Sequence, residues 1–211
     1  MSKDFFTLKN KFLLREKSLR LYETSFPLIA VTGGIGCGKS FFLQKMKERG
    51  FFTVSADDLV KEAYQSKEAK KFLEKVGIAD FSLLRKFLLF HPDKMEEISQ
   101  ILYRELPALF HEKTYGLKEG SVVVYEIPLL FERKLEEKVD VIIVVSSDLA
   151  WQQNVLQNER NIPADEIQRL ISLQISLCEK EKRGDFVVRN LKEEDQDIEG
   201  KVSEVISLFC G

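Results

Sequence analysis

The sequence predicts an α/β fold in which a mainly parallel sheet of five strands is covered by helices on both faces. Three observations predict it. Five short apolar runs are strand-sized: PLIAV (27–31), FFTVS (51–55), SVVVYE (121–126), VDVIIVVS (139–146) and DFVVRN (185–190). Stretches of helical spacing alternate with them, the pattern of crossover connections in a parallel sheet. The runs around 28–31 and 141–145 are continuously apolar, as strands buried on both faces are.

Taken in order, residues 1–24 set Phe5, Leu8, Phe12, Leu13 and Leu19 among lysines and arginines at roughly helical spacing. They read as a basic amphipathic helix, an N-terminal helical extension, and two roles stay open: contact with a membrane surface, or docking on the domain that follows. That domain runs from residue 25 to 211. After PLIAV comes a glycine-rich turn, then a helix over SFFLQKMKER (40–49) that Gly50 ends. FFTVS ends at Ala56-Asp57. An insert over about 58–116 is almost wholly helical, with breaks near Gly77 and at His91-Pro92. Beyond the fourth strand, helices over 148–159, 163–173 and 176–183 make a helical lid of about 148–183. The acidic KEEDQD (192–197) reads as a solvated turn, and a helix over 195–209 closes the chain.

Composition excludes several classes. The 211 residues suit one domain with an insertion. Thirty-two Lys plus Arg against 34 Asp plus Glu leave no basic field for nucleic acid. The longest apolar runs are far too short to span a bilayer, and the N-terminus lacks the apolar core of a signal peptide. Cys37, Cys178 and Cys210 have neither metal-like spacing nor an even disulfide count. A reduced, cytoplasmic protein without a membrane partner is expected. Oligomeric state is not legible.

The chemistry sits in Gly33-Gly34-Ile35-Gly36-Cys37-Gly38-Lys39-Ser40, which matches G-x-x-x-x-G-K-[ST] at every specified position. A strand precedes it and a helix follows, the context the motif requires. The glycines let successive N–H groups turn toward one anion, and the helix N-terminus adds its positive dipole end. Residues 34–41, from Gly34 to Phe41, are therefore expected to hold ATP. Lys39 reaches the β- and γ-phosphates, and the Ser40 hydroxyl ligates Mg²⁺. A P-loop NTPase fold follows. The GTPase N-K-x-D is missing, the one D-x-x-G lies at Asp197–Gly200, and no LSGGQ-like signature occurs. What remains is a small phosphoryl-transfer enzyme whose acceptor binds beside the loop.

Asp57 ends the second strand on the sheet edge where ligands bind in open α/β sheets. Two readings stand: a base that takes the acceptor's proton, or, with Asp58, a helix cap. Glu126, closing the third strand, is either a carboxylate that holds Mg²⁺ through water or an ordinary strand-end residue. Cys37 is either a thiol activated by the helix N-terminus or an inert small residue.

Together these pieces resemble the dephospho-CoA kinase family, from about residue 28 to 209. VTGGIGCGKS is similar to the family's T-G-G-I-G-S-G-K-S, SADDLV to its D-A-D before an apolar helix, and IPLLFE (127–132) with Asp140 to its P-L-L-F-E and later Asp. Gln174, Lys180, Asp185 and Asn190 fall in a pattern like Q…K…A-D-x-V-I-x-N. The resemblance implies transfer of the γ-phosphoryl of ATP to the ribose 3′-hydroxyl of dephospho-CoA. By it Asp57 is the acceptor-orienting base, Pro128 to Glu132 line the acceptor side, and the lid brings Arg160, with Arg169, to the transferring group. The chain departs from the family at Phe41 (Thr in the family), Ser55 (Asp), Phe81 (Arg) and Tyr103-Arg104 (His-Pro). No basic residue precedes Arg160 in the lid helix, Arg169 lies one position off, and Leu-Lys rather than Gly follows Asn190. These changes gather on insert and lid. A kinase of another small acceptor, and a nucleotide-binding protein without turnover, are the alternatives.

Overall fold

The computed structural model describes residues 9, 12–13, 16–78, 81–118, 121–189 and 198–209. Phe5, Leu8, Asn190, the turn 192–197, Asp197, Cys210 and the side chain of Phe81 lie outside them. The chain divides into two units, residues 1–54 with 117–211, and residues 55–116.

The first unit carries the sheet. Its strands are β1 (Leu28–Gly33), β2 (Phe52–Ser55), β3 (Val123–Glu126), β4 (Val141–Ser146) and β5 (Phe186–Arg189), in the order β2-β3-β1-β4-β5. All run parallel; Ile29 sits between Val124 and Val141, and Val145 between Gly33 and Val188. β1 and β4 are buried along their whole length, as central parallel strands are. On one face Ile29, Val31, Val124, Val141, Ile143, Val145 and Val188 pack with Phe42 and Met46 of α1 (Lys39–Glu48) and with Val202 and Val205 of α9 (Ile198–Phe209). Fully burying each such side chain is worth ~1.5–3 kcal/mol, so this face anchors the unit. Gly50 ends α1 as expected: in the left-handed region at φ 93°, it lets Phe51 N–H donate back to Met46 O at 3.2 Å.

Of the three helices expected after β4, the first divides into α6 (Leu149–Asn154) and a π turn (Val155–Glu159), and the other two are α7 (Ala164–Ser172) and α8 (Leu177–Arg183). Asp148 caps α6, accepting from Trp151 N–H at 2.6 Å.

The described part of the N-terminal extension corrects the expectation of a continuous amphipathic helix. Lys17–Leu19 and Leu21–Glu23 are two single 3₁₀ turns separated by extended Arg20. Leu19 is exposed and Leu21 is buried. The cause is tertiary. Arg20 Nε lies 2.9 Å from Asp140 Oδ2 in a buried pair, and the same carboxylate oxygen accepts from Leu28 N–H at 2.8 Å. Phe12 and Leu13 pack on the sheet core, and Lys9 Nζ donates to Ser207 O at 2.8 Å. The described residues of the extension are docked on the domain.

Residues 55–116 hold α2 (Ala56–Ala63), α3 (Lys67–Val76), α4 (Phe81–Phe90) and α5 (Pro92–Thr114). The first three pack against α5, whose buried Ile98, Leu102, Leu106 and Phe110 recur every four residues along one stripe. The breaks at Gly77 and His91-Pro92 fall as expected. A third, over residues 64–66, was not read from the sequence; there Ser66 Oγ caps α3, accepting from Ala69 N–H at 3.2 Å. Lys75 and Lys94, hydrogen-bonded to the Glu97 carboxylate, hold it down to about 2. Burial, with Tyr103 beside it, pushes the Tyr64 hydroxyl up to about 12.

Candidate active site at the phosphate loop

β1 delivers its carboxyl end, Thr32-Gly33, into the glycine-rich loop, and α1 begins at Lys39. Close packing explains the glycines better than flexibility does. Gly33 has φ 146°, and a Cβ there would lie 2.0 Å from Val145 O of the neighbouring strand. At Gly36, φ 78°, a Cβ would stand 3.1 Å from Gln152 O. The loop is thus pressed against β4 and the start of α6.

Lys39 folds back over the loop. Its Nζ donates to Gly34 O at 2.8 Å and only 8% of the residue is exposed. Ser40, in the first turn of α1, is exposed. Phe41 is exposed too, and its ring carries Lys45 Nζ at 5.5 Å, so what it offers a phosphate is its backbone N–H. Cys37 is fully buried, and its Sγ accepts from Ser147 Oγ at 3.2 Å. That burial fits the inert reading of this thiol.

The loop's other neighbours went unremarked in the sequence. Gln152 is buried and donates to Ser147 O at 3.2 Å. The Ile35 side chain packs on a small core of Leu156, Ile162 and Ile167, which belongs to α6–α7 and their connection. The Ile35 N–H donates to Gln174 Oε1 at 2.9 Å. Lys180 is fully buried, with Nζ 2.8 Å from Glu132 Oε1 and 3.1 Å from Pro128 O. Gln174 and Lys180 were legible as pattern residues, but no local signal tied them to the loop.

The remaining expected site residues are more scattered. Arg160 follows the π turn and is exposed, its N–H bonded to Val155 O at 3.2 Å. Arg169 lies on the exposed side of α7. Glu126, buried, ends β3 in register with Val31. Glu132 turns toward Lys180 rather than outward. Asp140 and Asp185 sit at the amino ends of β4 and β5. There Asp185 Oδ2 accepts from Ile142 N–H at 2.7 Å, so both aspartates anchor strands at the edge away from the phosphate loop.

Asp57 is the second residue of α2, immediately after β2, and is exposed. It makes no side-chain hydrogen bond or ion pair among the described residues. The α2 N-cap position belongs to Ser55, without a side-chain cap. Asp58 pairs with Lys61 at 2.8 Å. Neither aspartate therefore acts as the cap.

Comparison with known proteins adds the following. The family model described as dephospho-CoA kinase matches residues 27–196. A dephospho-CoA kinase of Bdellovibrio bacteriovorus is 31% identical over 179 residues, covering 79% of this chain and 88% of its own. A crystal structure from Thermus thermophilus superposes with TM-score 0.76 at 24% identity, covering 88% of this chain and 98% of that one. A dephospho-CoA kinase structure from Campylobacter jejuni gives TM-score 0.61 at 22% identity, covering 86% and 96%. The two structural likenesses bear on fold alone.

Proposed function

The chain belongs to the dephospho-CoA kinase family, and from that premise we propose how its residues divide the transfer of the γ-phosphoryl of ATP to the ribose 3′-hydroxyl of dephospho-CoA. A small-molecule kinase using a nucleoside triphosphate is the coarse statement; the roles below are the finer one.

The observation that carries the reading is the strand–loop–helix around Lys39. A buried ammonium and a run of N–H groups at a helix start make a prepaid electrostatic site for a polyphosphate. Residues 34–41 cradle the phosphates through backbone N–H groups. Lys39 exchanges its bond to Gly34 O for phosphate oxygen. Arg160 screens charge on the moving group from the α6–α7 side, with Arg169 as its second. Asp57, which has no competing side-chain partner among the described residues, orients the acceptor hydroxyl and takes its proton as the new P–O bond forms and ADP leaves.

Mg²⁺ fits this donor set. Ser40 offers one hydroxyl beside Lys39, and no cluster of three or more metal-ligating side chains occurs among the described residues. That suits an ion whose other ligands are nucleotide oxygens and water. When bound, it would supply positive charge beside the phosphates, and Ser40 would be the residue that holds it. No helix among the described residues is long and apolar enough to cross a membrane, and we assign the activity to the cytoplasm.

The experiment is ADP release from the purified chain with ATP-Mg²⁺, with and without dephospho-CoA, and identification of the product by mass. Release that requires dephospho-CoA and yields coenzyme A is expected. Tight ATP binding with no coenzyme A formed would overturn the acceptor assignment and leave the phosphate cradle standing.

A further inference from the structure

From the α7–α8 connection into α8, the chain is held to the strand end of the phosphate loop by Gln174 and Lys180, and to the Pro128–Glu132 turn by Ile175 and Lys180. Gln174 Oε1 accepts from Ile35 N–H at 2.9 Å. The next residue, Ile175, donates its N–H to Glu132 Oε1 at 2.9 Å. Five residues further on, Lys180 Nζ reaches that same oxygen at 2.8 Å, Pro128 O at 3.1 Å and Gly33 O at 3.4 Å. An ammonium has three N–H donors, and here three acceptors from two segments, the Pro128–Glu132 turn and the end of β1, surround a fully buried one. Thr32 Oγ1 also donates to Pro128 O, at 3.4 Å. The arrangement is braced on its far side, where Arg183 lies over the Phe131 ring at 4.5 Å and pairs with Glu136.

Two features set this apart from ordinary packing. A buried lysine is costly unless paired and hydrogen-bonded, and this one, paired with Glu132, extends its longest bond, at 3.4 Å, to Gly33 O, the first residue of the phosphate loop. Ile35 is held twice: its N–H by Gln174, and its side chain by the Leu156–Ile162–Ile167 core. Any movement of α6–α7 therefore pulls on the peptide group between Gly34 and Ile35, whose carbonyl is the acceptor of Lys39.

We propose that Gln174 and Lys180 are positioning residues for phosphoryl transfer. They fix the peptide groups of Gly33 to Ile35 and couple the phosphate loop to the α6–α8 segment and the Pro128–Glu132 turn. Neither touches the reacting atoms; Gln174 acts through Ile35, and Lys180 through Gly33. The proposal rests on the reading of residues 34–41 as the ATP site.

The test assays the full chain for coenzyme A formation as parent, Gln174→Met, Gln174→Glu, and the pair Lys180→Met with Glu132→Gln. Methionine matches the length of glutamine but leaves Ile35 N–H without an acceptor. Glutamate keeps an oxygen there and adds a negative charge near the phosphates. The paired change removes both charges, so neither is left buried alone. Gln174→Met and the pair are each expected to lose about 10- to 100-fold in kcat, the scale of a misplacement of about 1 Å. Their KM for ATP should move by less than about threefold, since ground-state binding is shared among many N–H groups. Gln174→Glu should show the opposite split, a raised KM with kcat retained. A merely structural role would lower the melting temperature and leave both constants unchanged below it. Parent-like kcat in Gln174→Met and in the pair overturns the proposal, as does an equal loss of kcat in the Met and Glu variants. If the parent binds ATP and forms no coenzyme A, the functional reading fails on its own. Amide exchange at Ile35 then decides the coupling: protection lost in Gln174→Met upholds it, and unchanged protection overturns it.

Discussion

Lys39 Nζ donates to Gly34 O across 2.8 Å, bridging the helix end of the phosphate loop to its strand end. The loop is thereby held closed on itself around a buried positive charge. Lys39→Ala removes both the bridge and the charge. Turnover is expected to fall by at least ~10²–10³, the usual loss for one transition-state stabiliser, with the α/β circular dichroism preserved. Calorimetric titration with ATP-Mg²⁺ beside the coenzyme A assay checks it. Parent-like turnover would remove the assignment of this lysine.

Asp57 and Asp58 are neighbours with different surroundings, and their variants should differ accordingly. Asp58 is tied to Lys61 in an exposed pair, while Asp57 has no such tie among the described residues. Asp57→Asn is expected to keep ATP affinity and lose ~10²–10⁴ in kcat, the range of a general base. Asp58→Asn should change kcat by less than about twofold, since exposed pairs contribute little. A loss below about tenfold in Asp57→Asn would rule it out as an essential base.

The buried Arg20–Asp140 pair joins the N-terminal extension to the start of β1 and β4. Arg20→Met leaves the Asp140 carboxylate buried without its cation and is expected to cost ~3–5 kcal/mol. Urea unfolding with unchanged m-value would measure this. A cost under about 1 kcal/mol would mean that solvent reaches Asp140 once Arg20 is gone.

Glu97 carries a pH signature. Its carboxyl is held down to about 2 by hydrogen bonds from Lys75 and Lys94. A carboxyl lowered in the folded state stabilises it above the unfolded pKa of about 4.3 and loses that contribution as pH falls toward about 2. Glu97→Gln should therefore melt below the parent at pH 7, and the two curves should converge between pH values of about 4.3 and about 2. Thermal melts across that window test it; a gap that persists at the acid end would assign the effect to packing.

What was legible in the sequence is what depends on neighbours along the chain. The five strands appear as apolar runs, Gly50 and Gly77 as helix stops, and Gly33 to Ser40 as a glycine-rich loop between a strand and a helix, because each is governed by local dihedral or spacing rules. Two breaks were missed or misplaced for the same reason. Ser66 caps α3 without a strong breaker beside it, and residues 17–23 have helical spacing that the Arg20 ion pair overrides.

The sequence by itself determined the family, the α/β class and the strand–glycine loop–helix succession around Lys39, since each of these follows from local spacing and dihedral rules. Tertiary structure alone decided what holds that loop in place. The partners of Gly33, Ile35 and Lys39's own acceptor, Gly34, come from Val145, Gln152, Gln174 and Lys180, more than a hundred residues away. Only the parallel pairing of β1 with β4, and the return of α8 to those two strands, bring them within contact of the loop. Such contacts are set by topology, which no local pattern of residues encodes.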